Sequence, residues 1–228
     1  MNELETGGEK KPDKRRVLSR RALCIGAGGS LVMLGLGGLK FIEPQPMIRP
    51  PGGQDEARVV SACIHCEKCY ESCPNNVIAP GHVEDGVLNI RTPTLNFKYS
   101  YCDWCEKSNN GYPLCVQVCP TDALHLPEGA EIFSQVIGKA ELNKDRCLAY
   151  KMVGCGSCYK ACPYEAMELD EVNRPYVLED KCIGCGACEA ACVSLASGSY
   201  SLGQTEQAIV VRALDKTGQI ISRKSHRT

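Results

Sequence analysis

Residues 182–193 read CIGCGACEAACV, with Cys182, Cys185 and Cys188 separated by two residues each and Cys192 following after three more. Two-residue spacers let one tight loop turn three thiolates toward three corners of an iron–sulfur cube. The thiolate that follows serves a neighbouring cluster where two share a fold. Gly154, Gly156, Gly184 and Gly186 are expected to permit left-handed turns and to let backbone N–H groups approach inorganic sulfur closely, which tunes potential. The fourth cysteine is expected to begin a short helix.

Working outward, the pattern recurs three times. Cys63, Cys66, Cys69 and Cys73 repeat it without insertion, before Pro74. Cys102, Cys105, Cys115 and Cys119, before Pro120, carry nine residues between the second and third thiols. Cys147, Cys155, Cys158 and Cys162, before Pro163, carry seven between the first and second. Proline fixes φ as the chain leaves the site and removes a backbone donor. A disulfide scaffold has no need of four near-copies of one ligand spacing. Structural zinc takes two Cys-x2-Cys pairs, without a third cysteine at the same interval and a Cys-Pro beyond it. Four [4Fe–4S] clusters are therefore the expected cofactors, with these sixteen cysteines as their ligands. The seventeenth, Cys24, lies alone in an apolar stretch and reads as a small hydrophobe.

The rest of the composition agrees. The chain has 228 residues, a formal net charge of -1 and 6% aromatic residues. No cationic surplus suits a nucleic-acid partner, and the turn-rich sequence would be poorly stabilised by an apolar core alone. His65, His82, His125 and His226 are dispersed and read as solvent-facing or packing residues. No nucleophile–base pair, phosphate loop or dinucleotide fingerprint is visible, so no catalytic residue is assigned. Tyr101 and Trp104 flank ligands and are expected to shield a cluster from water. These features imply a carrier of single electrons, not an enzyme with substrate chemistry of its own.

Lys10, Lys11, Lys14, Arg15, Arg16, Arg20 and Arg21 precede the uncharged run Ala22–Leu39. Ser19-Arg20-Arg21-Ala22-Leu23 has the form of a twin-arginine export signal, the alternative being a plain membrane anchor. Both place the body in the periplasm or elsewhere outside the cytoplasm, and the missing Ala-x-Ala site favours an uncleaved tether over a cleaved signal. The expected division is a signal or anchor over 1–40, a Pro/Gly linker over 41–54, a four-cluster body over 55–214 and a polar, basic tail over 215–228.

Extended segments are expected at Val87–Ile90, Leu124–Leu126, Ala140–Leu142, Met167–Leu169, Tyr176–Leu178 and Ser199–Leu202. The predicted fold is α+β, two ferredoxin-like dicluster modules that are loop-rich and stabilised by their clusters. The first and fourth groups share uninterrupted spacing and the second and third both carry insertions. That likeness favours first with fourth, Cys63, Cys66 and Cys69 taking Cys192 while Cys182, Cys185 and Cys188 take Cys73. It likewise pairs Cys102, Cys105 and Cys115 with Cys162, and Cys147, Cys155 and Cys158 with Cys119. Pairing of adjacent groups is the alternative.

Arg49-Pro50-Pro51-Gly52, Cys147-Leu148-Ala149-Tyr150 with its seven-residue interval, and Cys192-Val193 in place of Cys-Pro give a more specific mark. With the twin-arginine region, and as far as about Leu202, the chain resembles the NapG/MauM family of exported ferredoxin-type proteins. The resemblance implies four [4Fe–4S] clusters. For the nitrate-reductase branch it also implies a membrane-bound quinol dehydrogenase or polyferredoxin as donor and an extracytoplasmic reductase as acceptor. The nine-residue interval is longer than the family usually shows, so Glu106–Tyr112 reads as an inserted polar surface loop. Two rival roles are the iron–sulfur subunit of a membrane-anchored molybdenum oxidoreductase and an accessory maturation factor for a periplasmic redox enzyme.

Overall fold

Met47, Arg49, Pro50, Pro51, Gly52 and Gly53, expected in a linker, are buried. In this computed structural model, residues 28–30, 46–127, 129–130, 135–151, 154–195, 206–215 and 217–221 are described. The chain divides into Met1–Lys40 and Phe41–Thr228, so the expected linker belongs with the body. The basic N-terminal stretch, Cys24, the strand expected over 199–202, His226 and the end of the tail lie outside the described residues. Among the described residues no helix is long and apolar enough to cross a membrane.

The buried strap is held by one side chain. Arg49 Nε donates to Glu56 Oε2 at 2.7 Å, Nη1 to Thr92 Oγ1 at 2.7 Å and to the Pro93 carbonyl at 2.8 Å, and Nη2 to Asn89 Oδ1 at 3.0 Å. Nη2 also pairs with Glu56 Oε1. The Leu95 N–H donates to the Ile48 carbonyl and the His125 N–H to that of Gly52, so the strap's backbone is satisfied without a helix.

Beyond the strap, helix α1 (Glu56–Ala62) starts at Asp55, whose carboxylate accepts from the Arg58 N–H, and it buries Val59. Strands β1 (Ile78–Pro80) and β2 (Pro93–Leu95) pair antiparallel. In the later half β3 (Lys139–Leu142) pairs with β6 (Ile209–Arg212), and β4 (Met167–Leu169) with β5 (Pro175–Val177), both antiparallel. This agrees with the expected α+β class. Three of the expected extended segments coincide with β3, β4 and β5. Val87–Ile90 does not: Val87–Asn89 is a 3-10 turn entered from Gly86 at φ 102°, and it buries Asn89 under Arg49. Leu124–Leu126 forms no strand either, although Leu124 and Leu126 are core residues.

Four one-turn helices carry the third cysteine of each group: α2 (Lys68–Glu71), α4 (Leu114–Gln117), α5 (Ser157–Ala161) and α6 (Ala187–Ala190), with α3 (Glu106–Asn109) between α2 and α4 in the chain. The helix therefore leads up to the fourth cysteine, where the sequence suggested that it begins there. Of the glycines expected in left-handed turns, Gly184 and Gly186 adopt them at φ 76° and 84°, whereas Gly154 and Gly156 do not, Gly156 entering α5 at φ -135°. Helix α2 packs on α4, and α5 on α6. The core joins Val59, Leu95, Phe97, Trp104, Ile183, Ile209 and Val211 to Cys115, Cys158, Cys182, Cys185 and Cys188, so thiols take a share of the interior that side-chain hydrocarbon would otherwise fill.

Candidate metal centres

Burial first, and then the neighbouring Cys63 and Cys66 thiols, push the Cys69 thiol up to about 12, with Cys119 also acting on it. Cys115 is raised well above the usual thiol range, by burial and by Cys102, Cys105 and Cys73. Cys158 is pushed up to about 12 by burial and by Cys147 and Cys192, with Cys155 close by. Cys188 is raised well above the usual range by burial and by Cys185 and Cys182, with Cys162 in the same group. Read with the cavities the thiols share, these neighbours fall into four quartets: Cys63, Cys66, Cys69 with Cys119; Cys73 with Cys102, Cys105, Cys115; Cys162 with Cys182, Cys185, Cys188; and Cys147, Cys155, Cys158 with Cys192. Partly enclosed apolar cavities are lined by the last three of them.

All sixteen cysteines of the four groups thus converge in fours, but the partners differ from the favoured expectation. The first group exchanges its fourth cysteine with the second, and the third with the fourth. Cys73, expected beside Cys182, Cys185 and Cys188, lies with the second group. Cys192, expected beside Cys63, Cys66 and Cys69, lies with the third. Cys119 and Cys162 are exchanged in the same sense. The cause is packing: α2 rests on α4 and α5 on α6, so the cysteine that follows each helix points into the neighbouring group's loop. The second group's insertion lies in a surface segment and leaves those helix contacts alone, while Ala149 of the third group's insertion is buried beside Cys147 and Ala208. Glu106–Tyr112 is that surface segment; its polar side chains are at or near the surface, and Asn109 Nδ2 fastens it to the Tyr112 carbonyl at 2.9 Å and to Gln117 Oε1 at 3.1 Å.

The donor set fits a polynuclear cluster. Among the described residues no three His, Cys, Asp or Glu side chains gather as a single metal ion requires. Buried thiolates without cationic iron beside them would be costly, which is the direction of every resolved thiol shift. Backbone donors already face sulfur: Leu114 N–H to Cys105 Sγ at 3.5 Å and Ala166 N–H to Cys162 Sγ at 3.3 Å. The Trp104 indole N–H, fully buried in the wall of the second cavity, has no partner among the described residues.

The quartets form a series. Cys69 of the first acts on Cys115 of the second, and Cys158 of the fourth on Cys188 of the third. Second and third meet where the Cys102 N–H donates to the Cys185 carbonyl at 2.9 Å. Tyr164 sits at that junction, its hydroxyl pushed up by burial and by Cys185 and Cys102. The first quartet ends in exposed Cys66, beside Ile64 at 61% exposure. His65, between two ligands, is exposed, as is His125, and His82 donates its backbone N–H to Asp85. Tyr164 and the seat of Gly186 against the Phe97 ring escaped the sequence reading, because both depend on contacts between distant segments.

Thiol quartets of this kind on short helices and hairpins define a class, the [4Fe–4S] ferredoxin-type proteins. The model of the 4Fe-4S dicluster domain matches residues 62–123 and 153–196, the first window spanning the first two groups and the second most of the last two. The chain is 30% identical over 171 residues to the methylamine utilization ferredoxin-type protein MauM of Methylobacillus flagellatus, covering 72% of this chain and 69% of that one. The MauM of Paracoccus denitrificans gives 30% over 168 residues, with 71% and 70% covered. The ferredoxin-type protein NapG of Escherichia coli is 32% identical over 117 residues, with 51% and 48% covered. The chain belongs to the NapG/MauM family of ferredoxin-type proteins and is an electron-transfer iron–sulfur protein.

Proposed function

We propose that the body is two dicluster modules, holding four [4Fe–4S] clusters in series, and that it relays single electrons from a membrane quinol-oxidising partner to an extracytoplasmic reductase. The observation that carries this reading is the order of the quartets. Two of them meet through Cys102 and Cys185 in the middle, and the other two lie at the ends. Each cluster, when bound, supplies a centre that takes up or gives up one electron. The chain's part is to hold iron through thiolates, to keep water from the inner sites with Trp104, Leu124 and Ile183, and to set potentials with backbone donors. Ser19-Arg20-Arg21-Ala22-Leu23 and the apolar run after it support export of the folded, loaded protein, with the N-terminus as a membrane tether.

Iron and acid-labile sulfide on anaerobically purified protein test the first half of the proposal, with about sixteen of each per chain expected. The second half is tested by mixing oxidised protein with quinol-loaded membranes from the same cells and following the visible bleaching of the clusters. Reduction by dithionite but not by those membranes would leave the clusters standing and remove the quinol-fed relay.

A further inference from the structure

Trp104 occupies the position just before the second cysteine of its group. That residue is His65 in the first group, Gly154 in the third and Gly184 in the fourth. His65, Trp104 and Gly184 all have left-handed backbone there, at φ 56°, 56° and 76°. Glycine adopts this conformation freely, while a bulky side chain is strained by it, and strained residues that persist tend to sit at functional sites. The side chains differ sharply in what they offer. Glycine has none and His65 faces solvent, whereas Trp104 is 0% exposed and lines the cavity of Cys73, Cys102, Cys105 and Cys115. Its backbone N–H already bonds Cys102. Its indole N–H is a buried donor without a protein partner among the described residues. A donor in that state is costly unless a further acceptor is present.

We propose that the Trp104 indole N–H donates a hydrogen bond to a sulfur of the cluster held by Cys73, Cys102, Cys105 and Cys115, raising that one cluster's reduction potential above what its thiolates alone would give. The inference rests on the cluster reading above. One-electron reduction adds negative charge to the sulfurs. A donor aimed at them therefore stabilises the reduced form more than the oxidised, and no proton is transferred. None of the corresponding positions in the other three groups presents such a side chain, so the second site alone is tuned this way.

Trp104 is the only tryptophan of the chain, so biosynthetic replacement by β-(3-benzothienyl)alanine changes this position alone and puts sulfur where the N–H stood while keeping the ring shape. With iron and sulfide unchanged, one of the midpoints in a dithionite titration should fall by about a tenfold change in the reduction equilibrium, about 59 mV for one electron, and the others should stay. Trp104→Phe should move the same midpoint in the same direction. Independently, indole-15N labelling of the native chain should give a 15N hyperfine coupling to a reduced cluster. Full iron with unshifted midpoints, or with no 15N coupling, overturns the hydrogen bond and leaves the clusters intact. A native chain without labile iron overturns both.

Discussion

Arg49 brings a full guanidinium into a site where it is 3% exposed, and its acceptors are spread over α1, the turn before β2 and β2 itself. Removing it takes the donor from the Pro93 carbonyl in the interior and the counter-charge from Glu56. Arg49→Met should lower stability by about 2–3 kcal/mol, the cost of an orphaned buried acceptor and a lost bond between charged groups, seen as earlier loss of the clusters' visible absorption on heating. Arg49→Lys should recover less than half of that, since one ammonium cannot reproduce the planar fork. The thiol quartets make a second prediction at this scale. Cys66→Ala and Cys119→Ala belong to one site, so each should cost about four iron atoms and the double variant about the same four. Under the pairing suggested by spacing alone, the two losses would add. The four cysteine groups could be read from the sequence because a cluster loop is a local object; which groups lie together could not. Similar spacing says nothing about which helix rests on which, and that contact decides where Cys73 and Cys192 go.

Gly186 shows how tightly the elements are seated. Its φ is +84°, and a Cβ there would lie 2.1 Å from Phe97 Cδ1 across the junction of the two halves. By the same thermal assay, Gly186→Ala should therefore cost about 1–3 kcal/mol through overpacking, in addition to the backbone strain. The β4–β5 hairpin carries a pH signature. The Asp170 carboxylate accepts from the Arg174 N–H at 2.8 Å, from Arg174 Nε at 2.8 Å and from the Val172 N–H at 3.0 Å, and these bonds, that from the Arg174 backbone foremost, hold it below the usual carboxylate range. A depressed folded value means the turn is favoured above the ordinary carboxylate range and loses that support as pH falls through the lowered value. Amide exchange at Arg174 should quicken with acid faster than intrinsic chemistry allows, and Asp170→Asn should flatten that dependence. The hairpin strands could be read from their apolar alternation. Val87–Ile90 misled because its apolar side chains resemble a strand, while Gly86 and the demand of Arg49 for Asn89 wind it into a turn. Strand β6 went unread because it lies beyond the last cysteine, and its partner β3 is some seventy residues away.

For the molecule as a whole, cysteine stands in for hydrocarbon. Five thiol-bearing residues belong to the fully buried part of the main core, and the strands are three or four residues long. Such elements are marginal alone. Stripping iron with a chelator in mild denaturant should therefore collapse protection in the β1–β2, β3–β6 and β4–β5 pairs together, as hydrogen exchange would show, and not only around individual loops. A cluster-free chain that kept native exchange protection would mean that the protein framework is self-sufficient.

The exchange of fourth cysteines between neighbouring groups also bears on biosynthesis. On the ribosome, Cys63, Cys66 and Cys69 emerge long before Cys119, and β3 waits for β6 until residue 212 has been made. The first half can close its sites while the second is still being translated, but Cys147, Cys155 and Cys158 gain their fourth thiol only at Cys192. Loading of this chain with iron would thus follow an order in time, N-terminal sites before C-terminal ones, with Cys192 completing the last of them.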